Sequence, residues 1–167
     1  IKNTSNENGI LFLANIHPSL QLDVLNKMSD DISLVVADTM NLWIDVDLKG
    51  LHEVIEKSNI FLLNDEEAIQ LTKMSDLELS GKKILDMGPK TVIIKMGAKG
   101  SLLISSGCVT KIPCIPDIDV YDPTGAGDSF AGGLIGYISK YGEGNMVDAL
   151  LYASSVASFT VSDFGIN

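Results

Sequence analysis

Short apolar runs alternate along this chain with segments whose apolar residues recur every three or four positions. The short runs predict buried strands, and the periodic segments predict amphipathic helices. The predicted strands cover residues 10–14, 33–37, 60–63, 91–96, 101–104 and 109–112. The predicted helices begin at Pro18, include Leu51, Val54 and Ile55, and cover residues 65–71, 77–87, 129–140 and 146–161.

The alternation of strands with helices predicts one α/β domain over residues 1–167. Because the strands are apolar throughout, we expect a three-layer, Rossmann-like arrangement: a mostly parallel sheet with helices on both faces. A glycine-rich turn predicts that strands 91–96 and 101–104 pair as a hairpin. Ligands bind such sheets at the carboxyl ends of the strands. The residues that follow predicted strands are Asp38, Asn41, Asn64, Glu67, Gly97 and Asp122.

Composition and charge exclude several classes of function. Hydrophobic residues make up 46% of the chain, which indicates a globular protein, and the net charge of −10 argues against nucleic acid as a partner. No apolar run approaches the ~20 residues that cross a bilayer, so no membrane partner is expected. Cys108 and Cys114 flank one predicted strand, where a disulfide is disfavoured. We therefore expect free thiols and a cytoplasmic protein.

The segment 122–133, DPTGAGDSFAGG, concentrates the chemistry of the chain. Gly125 and Gly127 let the backbone approach a ligand, and the N–H groups at the start of the following helix favour an anion. Asp128 is placed to act as a base beside that anion. No lysine follows Gly127, which excludes a Walker A loop, and Phe130 stands where a dinucleotide fingerprint needs a third glycine.

This segment resembles the signature of the ribokinase-like (PfkB) family of carbohydrate and nucleoside kinases. The matching residues are Asp122, Thr124, Gly125, Ala126, Gly127, Asp128 and Phe130, with Gly132 and Gly133 behind them. Upstream, Asn64 and Glu67 resemble the Asn-x-x-Glu motif of the family, and 95–100 resembles its strand–turn–strand at the nucleotide edge. The resemblance implies a ribokinase-like fold and ATP-dependent, Mg²⁺-assisted transfer of the γ-phosphoryl group to a hydroxyl of a sugar or nucleoside.

The resemblance also implies roles for individual residues. Asp128 would be the catalytic base, with Gly125, Ala126 and Gly127 forming the anion hole. Lys95, Gly97 and Thr124 would line the nucleotide phosphates together with Gly125 and Gly127, and Asn64, Glu67 and Asp122 would organise the metal.

Simpler interpretations of these residues stay open. Asn64 and Glu67 are also a helix capping box, and the pair can serve both roles. Lys95 can be a solvated charge at a strand end, and Asp122-Pro123 can be a turn. Since Pro123 replaces a threonine of many members, dependence on a monovalent cation is left open. Gly132 and Gly133 are expected to permit close packing of their helix on the sheet.

The chain resembles only the later, nucleotide-binding and catalytic part of a family member, so we expect the N-terminal substrate and lid part to be absent and the fragment alone to be incomplete. A homodimer stays open. No arginine follows Asp38-x-x-Asn41, and Ser154 stands where many members place an asparagine beside the adenine. The alternatives are a non-catalytic nucleotide-binding module or a kinase of another small molecule, such as a vitamin precursor, on the same fold.

Overall fold

Six strands form a single mixed sheet in the order β1-β2-β3-β4-β5-β6. The structure is a computed structural model that describes residues 9–28 and 32–162. Strands β1 to β4 are mutually parallel, and β5 and β6 are each antiparallel to the preceding strand. The strands are β1 (Gly9–Leu13), β2 (Ile32–Asp38), β3 (Ile60–Asn64), β4 (Thr91–Lys95), β5 (Ser101–Ser105) and β6 (Cys108–Ile112).

Seven α-helices accompany these strands in the described part of the chain. They are α1 (Pro18–Met28), α2 (Asn41–Val46), α3 (Leu48–Lys57), α4 (Asp65–Thr72), α5 (Leu77–Leu85), α6 (Ala126–Tyr141) and α7 (Met146–Val161). Helix α2 was not predicted from the sequence. It is only six residues long, which is too short to show a clear apolar periodicity. Its N-cap, Met40, offers no side-chain acceptor for the first N–H groups, so the sequence signal of a capping residue is also missing.

Two hydrophobic clusters pack against opposite faces of the sheet, which confirms the predicted three-layer arrangement. One cluster contains Val35 and Leu63 with residues from α1 and from α3 to α5. The other contains Val36 and Leu62 with residues from α6 and α7. Adjacent residues of one strand thus face opposite clusters, because side chains alternate across a strand. This double burial explains why the strand sequences are continuously apolar.

Helix α6 begins at Ala126, three residues earlier than the pattern of apolar residues predicts. Its N-cap, Gly125, has a φ of +79°, a left-handed conformation that glycine adopts without steric cost. The predicted start at residue 129 was therefore wrong, because the glycine turn itself starts the helix. Gly127 and Asp128 consequently lie within the first turn of α6.

Close packing of α6 against α7 depends on Gly133. A Cβ atom at this position would lie 3.0 Å from the Cα of Ala153 and 3.1 Å from the Cβ of Val156. The expected packing role of Gly133 is therefore directed at α7 rather than at the sheet. Gly132 is exposed, and a Cβ atom there would meet nothing within 4 Å, so close packing does not require glycine at that position.

We predict that two alanine substitutions in α6 differ in their effect on the stability of the protein. Gly136→Ala should stabilise the protein by up to about 1 kcal/mol, because Gly136 is exposed with open space around it and alanine favours the helix. Gly133→Ala should cancel or exceed that gain, since overpacking typically costs ~1–3 kcal/mol. Urea unfolding of both variants measures the difference. Equal stabilisation by the two substitutions would contradict the packing role of Gly133.

Candidate active site

The carboxyl ends of three neighbouring strands bring polar side chains to one edge of the sheet. Asp38 ends β2, Asn64 ends β3 and Lys95 ends β4. Asn64 of β3 and Lys95 of β4 are direct register partners. Asp38 of β2 is paired with Leu62 of β3, the strand that lies between β2 and β4. Parallel pairing therefore gathers residues that are far apart in the sequence, as expected for a ligand site in a sheet of this type.

Lys95 and Asp38 form an ion pair that is largely shielded from solvent. The Lys95 Nζ lies 2.8 Å from the Asp38 Oδ2, and the side chains are 18% and 7% exposed. The second carboxylate oxygen, Oδ1, accepts a hydrogen bond from the backbone N–H of Thr39. The alternative interpretation of Lys95 as a solvated charge is therefore wrong. Asp38 had no assigned role, although its position directly after a predicted strand was a usable signal.

The ammonium group of Lys95 reaches the start of α6. A side chain at position 127 would place its Cβ atom 3.6 Å from the Lys95 Nζ, so Gly127 leaves the space beside the cation open. The site thus joins the end of β4, on one side, to the first turn of α6, on the other. Two of the residues predicted to contact phosphate, Lys95 and Gly127, are brought together.

Two backbone donors in the first turn of α6 have no acceptor among the residues that the structure describes. The Ala126 N–H donates to the Pro123 carbonyl and the Ser129 N–H donates to the Gly125 carbonyl. In the described part of the chain, the N–H groups of Gly127 and Asp128 donate to no protein acceptor. Unpaired N–H groups and the positive end of a helix dipole beside a lysine form a site for an anion.

Asp128 is exposed at the mouth of this anion site. Burial raises the pKa of the Asp38 carboxyl, the charge and the hydrogen bond of Lys95 oppose that rise, and the charge of Asp128 adds to it. Asp128, Asp38 and Lys95 therefore belong to one electrostatic cluster, in which only Asp128 is freely accessible to a substrate.

Asn64 and Glu67 form the capping box of α4. The Asn64 Oδ1 accepts from the Glu67 N–H and the Glu67 Oε2 accepts from the Asn64 N–H, both at 2.8 Å. The capping interpretation is thus confirmed. Glu67 is 4% exposed, and burial raises the pKa of its carboxyl, against the opposing effects of the Asn64 N–H and the Lys95 charge.

The metal role of these two residues stays a prediction. Among the residues the structure describes, no group of three or more His, Cys, Asp or Glu side chains is arranged to hold a metal ion. The cap occupies only the Oε2 of Glu67, and the Oε1 makes no hydrogen bond within the described ranges. A Mg²⁺ ion here would therefore take most of its ligands from phosphate and water, as this ion commonly does.

Asp122 and Thr124 form a turn ahead of α6. The Asp122 Oδ1 accepts from the Thr124 N–H at 2.9 Å, and this bond lowers the pKa of the Asp122 carboxyl. The turn interpretation is confirmed. Asp122 lies in the segment before α6, whereas Asn64 and Glu67 stand at the start of α4, and a shared metal role for the three residues stays a prediction. Thr124 is exposed beside the first turn of α6.

A cleft of about 680 Å³ runs from the anion site to helix α7. Lys95, Gly97 and Gly127 line one end of it. Much of the remaining lining is apolar and comes from the loop after β6 and from α6 and α7; these side chains include Ile115, Ile118, Val120, Phe130, Ala157 and Val161. A charged end continuous with an apolar slot matches a ligand that has an anionic tail and a flat, weakly polar body.

Gly97 and Gly100 shape the turn that borders the charged end of the cleft. Gly97 has a φ of +55° and begins a 3-10 turn, Gly97–Lys99. Gly100 has a φ of +88°, and a Cβ atom there would lie 2.0 Å from the Ile112 carbonyl oxygen. Glycine is therefore required at position 100 by the β4–β5 hairpin and its contact with β6, whatever ligand the cleft holds.

Two further expectations are tested within the described part of the chain. Cys108 and Cys114 are both free thiols, as predicted. None of the helices described has the length and apolar character needed to span a membrane.

Comparison with known proteins identifies the relatives of this chain. Residues 9–167 match the family described as pfkB family carbohydrate kinase. The chain is 31% identical over 136 residues to the cytidine kinase of Thermococcus kodakarensis, covering 78% of this chain and 48% of the relative. It is 33% identical over 121 residues to the aminoimidazole riboside kinase of Salmonella typhimurium, covering 70% and 36%. It therefore spans half or less of the length of these curated relatives.

Solved structures show the same fold. A structure of Arabidopsis thaliana ribokinase complexed with ribose and ATP superposes with a TM-score of 0.80 at 26% identity, covering 93% of this chain and 50% of the ribokinase. The nucleoside kinase of Methanocaldococcus jannaschii superposes with a TM-score of 0.71 at 27% identity, again over 93% of this chain and 50% of the other.

The buried Glu67 generates a prediction about pH. Because the pKa of Glu67 is raised in the folded state above the ordinary value of 4.5, its ionisation opposes folding, and its contribution to stability is lost as pH rises from 4.5 through the folded-state pKa. Glu67→Gln keeps an acceptor for the Asn64 N–H and removes the charge. The stability of this variant relative to the wild type should therefore increase between pH 4 and pH 7, by about 1.4 kcal/mol per pKa unit.

Urea unfolding at several pH values measures this difference. A relative stability of Glu67→Gln that stays constant from pH 4 to pH 7 would contradict the raised pKa.

Proposed function

The chain belongs to the pfkB family of carbohydrate kinases, and on this premise we propose that it is the nucleotide-binding and catalytic part of an ATP-dependent kinase that phosphorylates a hydroxyl group of a sugar or nucleoside. The observation that carries the proposal is the convergence of the unpaired N–H groups of Gly127 and Asp128 with the Lys95 ammonium at one end of an apolar cleft.

The anion site supports the binding of a triphosphate. The chain contains no arginine, and its 12 basic residues are all lysines, within a net charge of −10. Phosphate binding therefore depends on local groups: the free amides of α6 and the ammonium of Lys95. Both are held in place before the ligand arrives, and such preorganised donors stabilise the charge that develops on a phosphoryl group in transfer.

Asp128 supports a role as general base. In the proposed reaction the acceptor hydroxyl oxygen attacks the γ-phosphorus, the bond from that phosphorus to the ADP oxygen breaks, and the hydroxyl proton moves to the Asp128 carboxylate. The exposed position of Asp128 on the same helical turn as the free amides would place the base beside the donors that hold the phosphoryl group. A positioned base of this kind contributes about 10²–10⁴-fold in rate.

Mg²⁺ fits the proposal as a partner of the nucleotide. Asn64 and Glu67 would organise the ion through water, with the phosphates supplying further ligands. When bound, the ion neutralises phosphate charge.

Asp128→Asn tests the catalytic assignment. In the complete gene product we expect turnover to fall about 10²–10⁴-fold, with ATP affinity changed less than about 3-fold, because the amide cannot accept the proton. Asp148→Asn is the matched control, since Asp148 also occupies the third position of a helix, α7. Retained turnover in Asp128→Asn would refute the assignment of the base. ATP binding without transfer to any sugar or nucleoside would instead favour the non-catalytic alternative.

Lys95→Met tests the phosphate site. Calorimetry should show at least a 10-fold loss of affinity for ATP and little change for adenosine, because only the phosphates reach Lys95. Lys99→Met, in the exposed part of the turn, is the control.

A second variant protects this test against misfolding. Removing one partner of a buried ion pair typically costs about 3–5 kcal/mol, so Lys95→Met is repeated together with Asp38→Asn, which removes the unpaired charge. A double variant that folds and binds ATP as tightly as the wild type would contradict the phosphate-binding role of Lys95.

A further inference from the structure

We infer that the apolar end of the cleft discriminates only weakly among purine bases, so that the protein binds GTP as a phosphoryl donor nearly as well as ATP. This inference rests on the proposed function, because it concerns the base of the nucleotide whose phosphates bind at α6. It goes further by naming the groups that meet the base and the selectivity they allow.

Most of the surface that would contact the base is apolar. Ile115, Ile118 and Val120 come from the loop after β6, and Ala157 and Val161 come from α7. Aliphatic side chains contact the faces of adenine and guanine equally well. They form no hydrogen bond that would distinguish the amino group at position 6 of adenine from the carbonyl of guanine. A hydrophobic pocket rejects a near-isostere poorly, by contrast with a site whose buried polar groups require particular partners.

Among the residues that the structure describes, one polar side chain at this end can both donate to a base and accept from it. The Ser158 hydroxyl donates to the Ser155 carbonyl at 2.7 Å, and the Cys114 thiol donates to the Ala98 carbonyl at 2.8 Å, so these two groups can act toward a base only as acceptors. Ser154 also lines the cleft, and within the described ranges its hydroxyl makes no hydrogen bond. Ser154 is therefore the described side chain at this end that is available both to donate and to accept at the edge of a base.

A serine hydroxyl does not select between the two purines. It rotates freely and acts either as a donor or as an acceptor. It can accept from the exocyclic amino group of adenine, or donate to the O6 of guanine. The two carboxylates that line the cleft, Asp65 and Glu66, directly follow Asn64, the register partner of Lys95, and so belong to the phosphate end.

The wall that carries Ser154 is anchored near both ends of the site. The Tyr121 N–H donates to the Val161 carbonyl at 2.8 Å, and the Thr160 hydroxyl donates to the Ser129 hydroxyl at 2.7 Å. Gly133 allows α6 to pack directly on Ala153, next to Ser154. These contacts fix α7 to α6 and to the residue that follows the apolar part of the loop after β6.

Binding measurements on the purified protein test the inference. ATP, GTP and inorganic tripolyphosphate are titrated by calorimetry in the presence of Mg²⁺. We expect dissociation constants for ATP and GTP within about 5-fold of each other, and tripolyphosphate at least 10-fold weaker than both. GTP binding more than 30-fold weaker than ATP would overturn the inference while leaving the proposed function intact. Tripolyphosphate as tight as ATP would overturn the base site, and ATP that fails to bind would refute the proposed function itself.

Two variants locate the effect at Ser154. Ser154→Ala should weaken ATP and GTP by the same modest factor, about 2–10-fold for one hydrogen bond, and leave their ratio within about 2-fold of the wild type. Ser155→Ala is the control, because the Ser155 hydroxyl donates to the Leu151 carbonyl within α7 and should leave both affinities unchanged. Loss of affinity for one nucleotide alone in Ser154→Ala would overturn the dual role of this hydroxyl.

Discussion

The ion pair between Lys95 and Asp38 is the interaction on which the site depends. It joins the ends of β2 and β4 across the intervening strand β3, with its partners 57 residues apart in the sequence. A buried ion pair is weak evidence for stability, because desolvation offsets the attraction between the charges. Its effect here is on position: it keeps one ammonium group at the start of α6, on the side of the sheet edge where the chain leaves backbone amides unpaired.

Helices α4 and α6 begin at this edge from opposite faces of the sheet, and their first turns are completed differently. Helix α4 satisfies its own N-terminal donors, because Asn64 and Glu67 exchange hydrogen bonds in a capping box. Helix α6 starts from Gly125, which has no side chain to offer, and its N-cap makes no side-chain hydrogen bond. Of these two helix termini, that of α4 is therefore closed and that of α6 is open to an anion. That asymmetry follows directly from the residues at the two N-caps.

Much of this arrangement could be predicted from the sequence where the signal is local. Continuous apolar runs predict doubly covered strands, and the glycines around Asp128 predict an anion site. The start of α6 was placed too late, because periodicity detects the apolar face of a helix and Gly125 precedes that face. The partner of Lys95 could not be found, since no local pattern connects residues at the ends of non-adjacent strands. The close contact of Gly133 with α7 likewise could not be predicted, because it depends on how the two helices pack.

The charge of the site explains why backbone amides carry so much of the anion binding. Asp38, Glu67 and Asp128 act electrostatically on one another or on Lys95 around a single ammonium group, which Asp38 already neutralises in part. A polyphosphate that enters such a cluster is repelled by the carboxylates. Two things can offset this repulsion: hydrogen-bond donors that are not already paired with a carboxylate, and cations that arrive with the polyphosphate. Amide donors at the start of a helix supply the first, and under the proposed function a nucleotide accompanied by Mg²⁺ would supply the second. The same carboxylates that would oppose a bare phosphate would thus favour a metal-bound one.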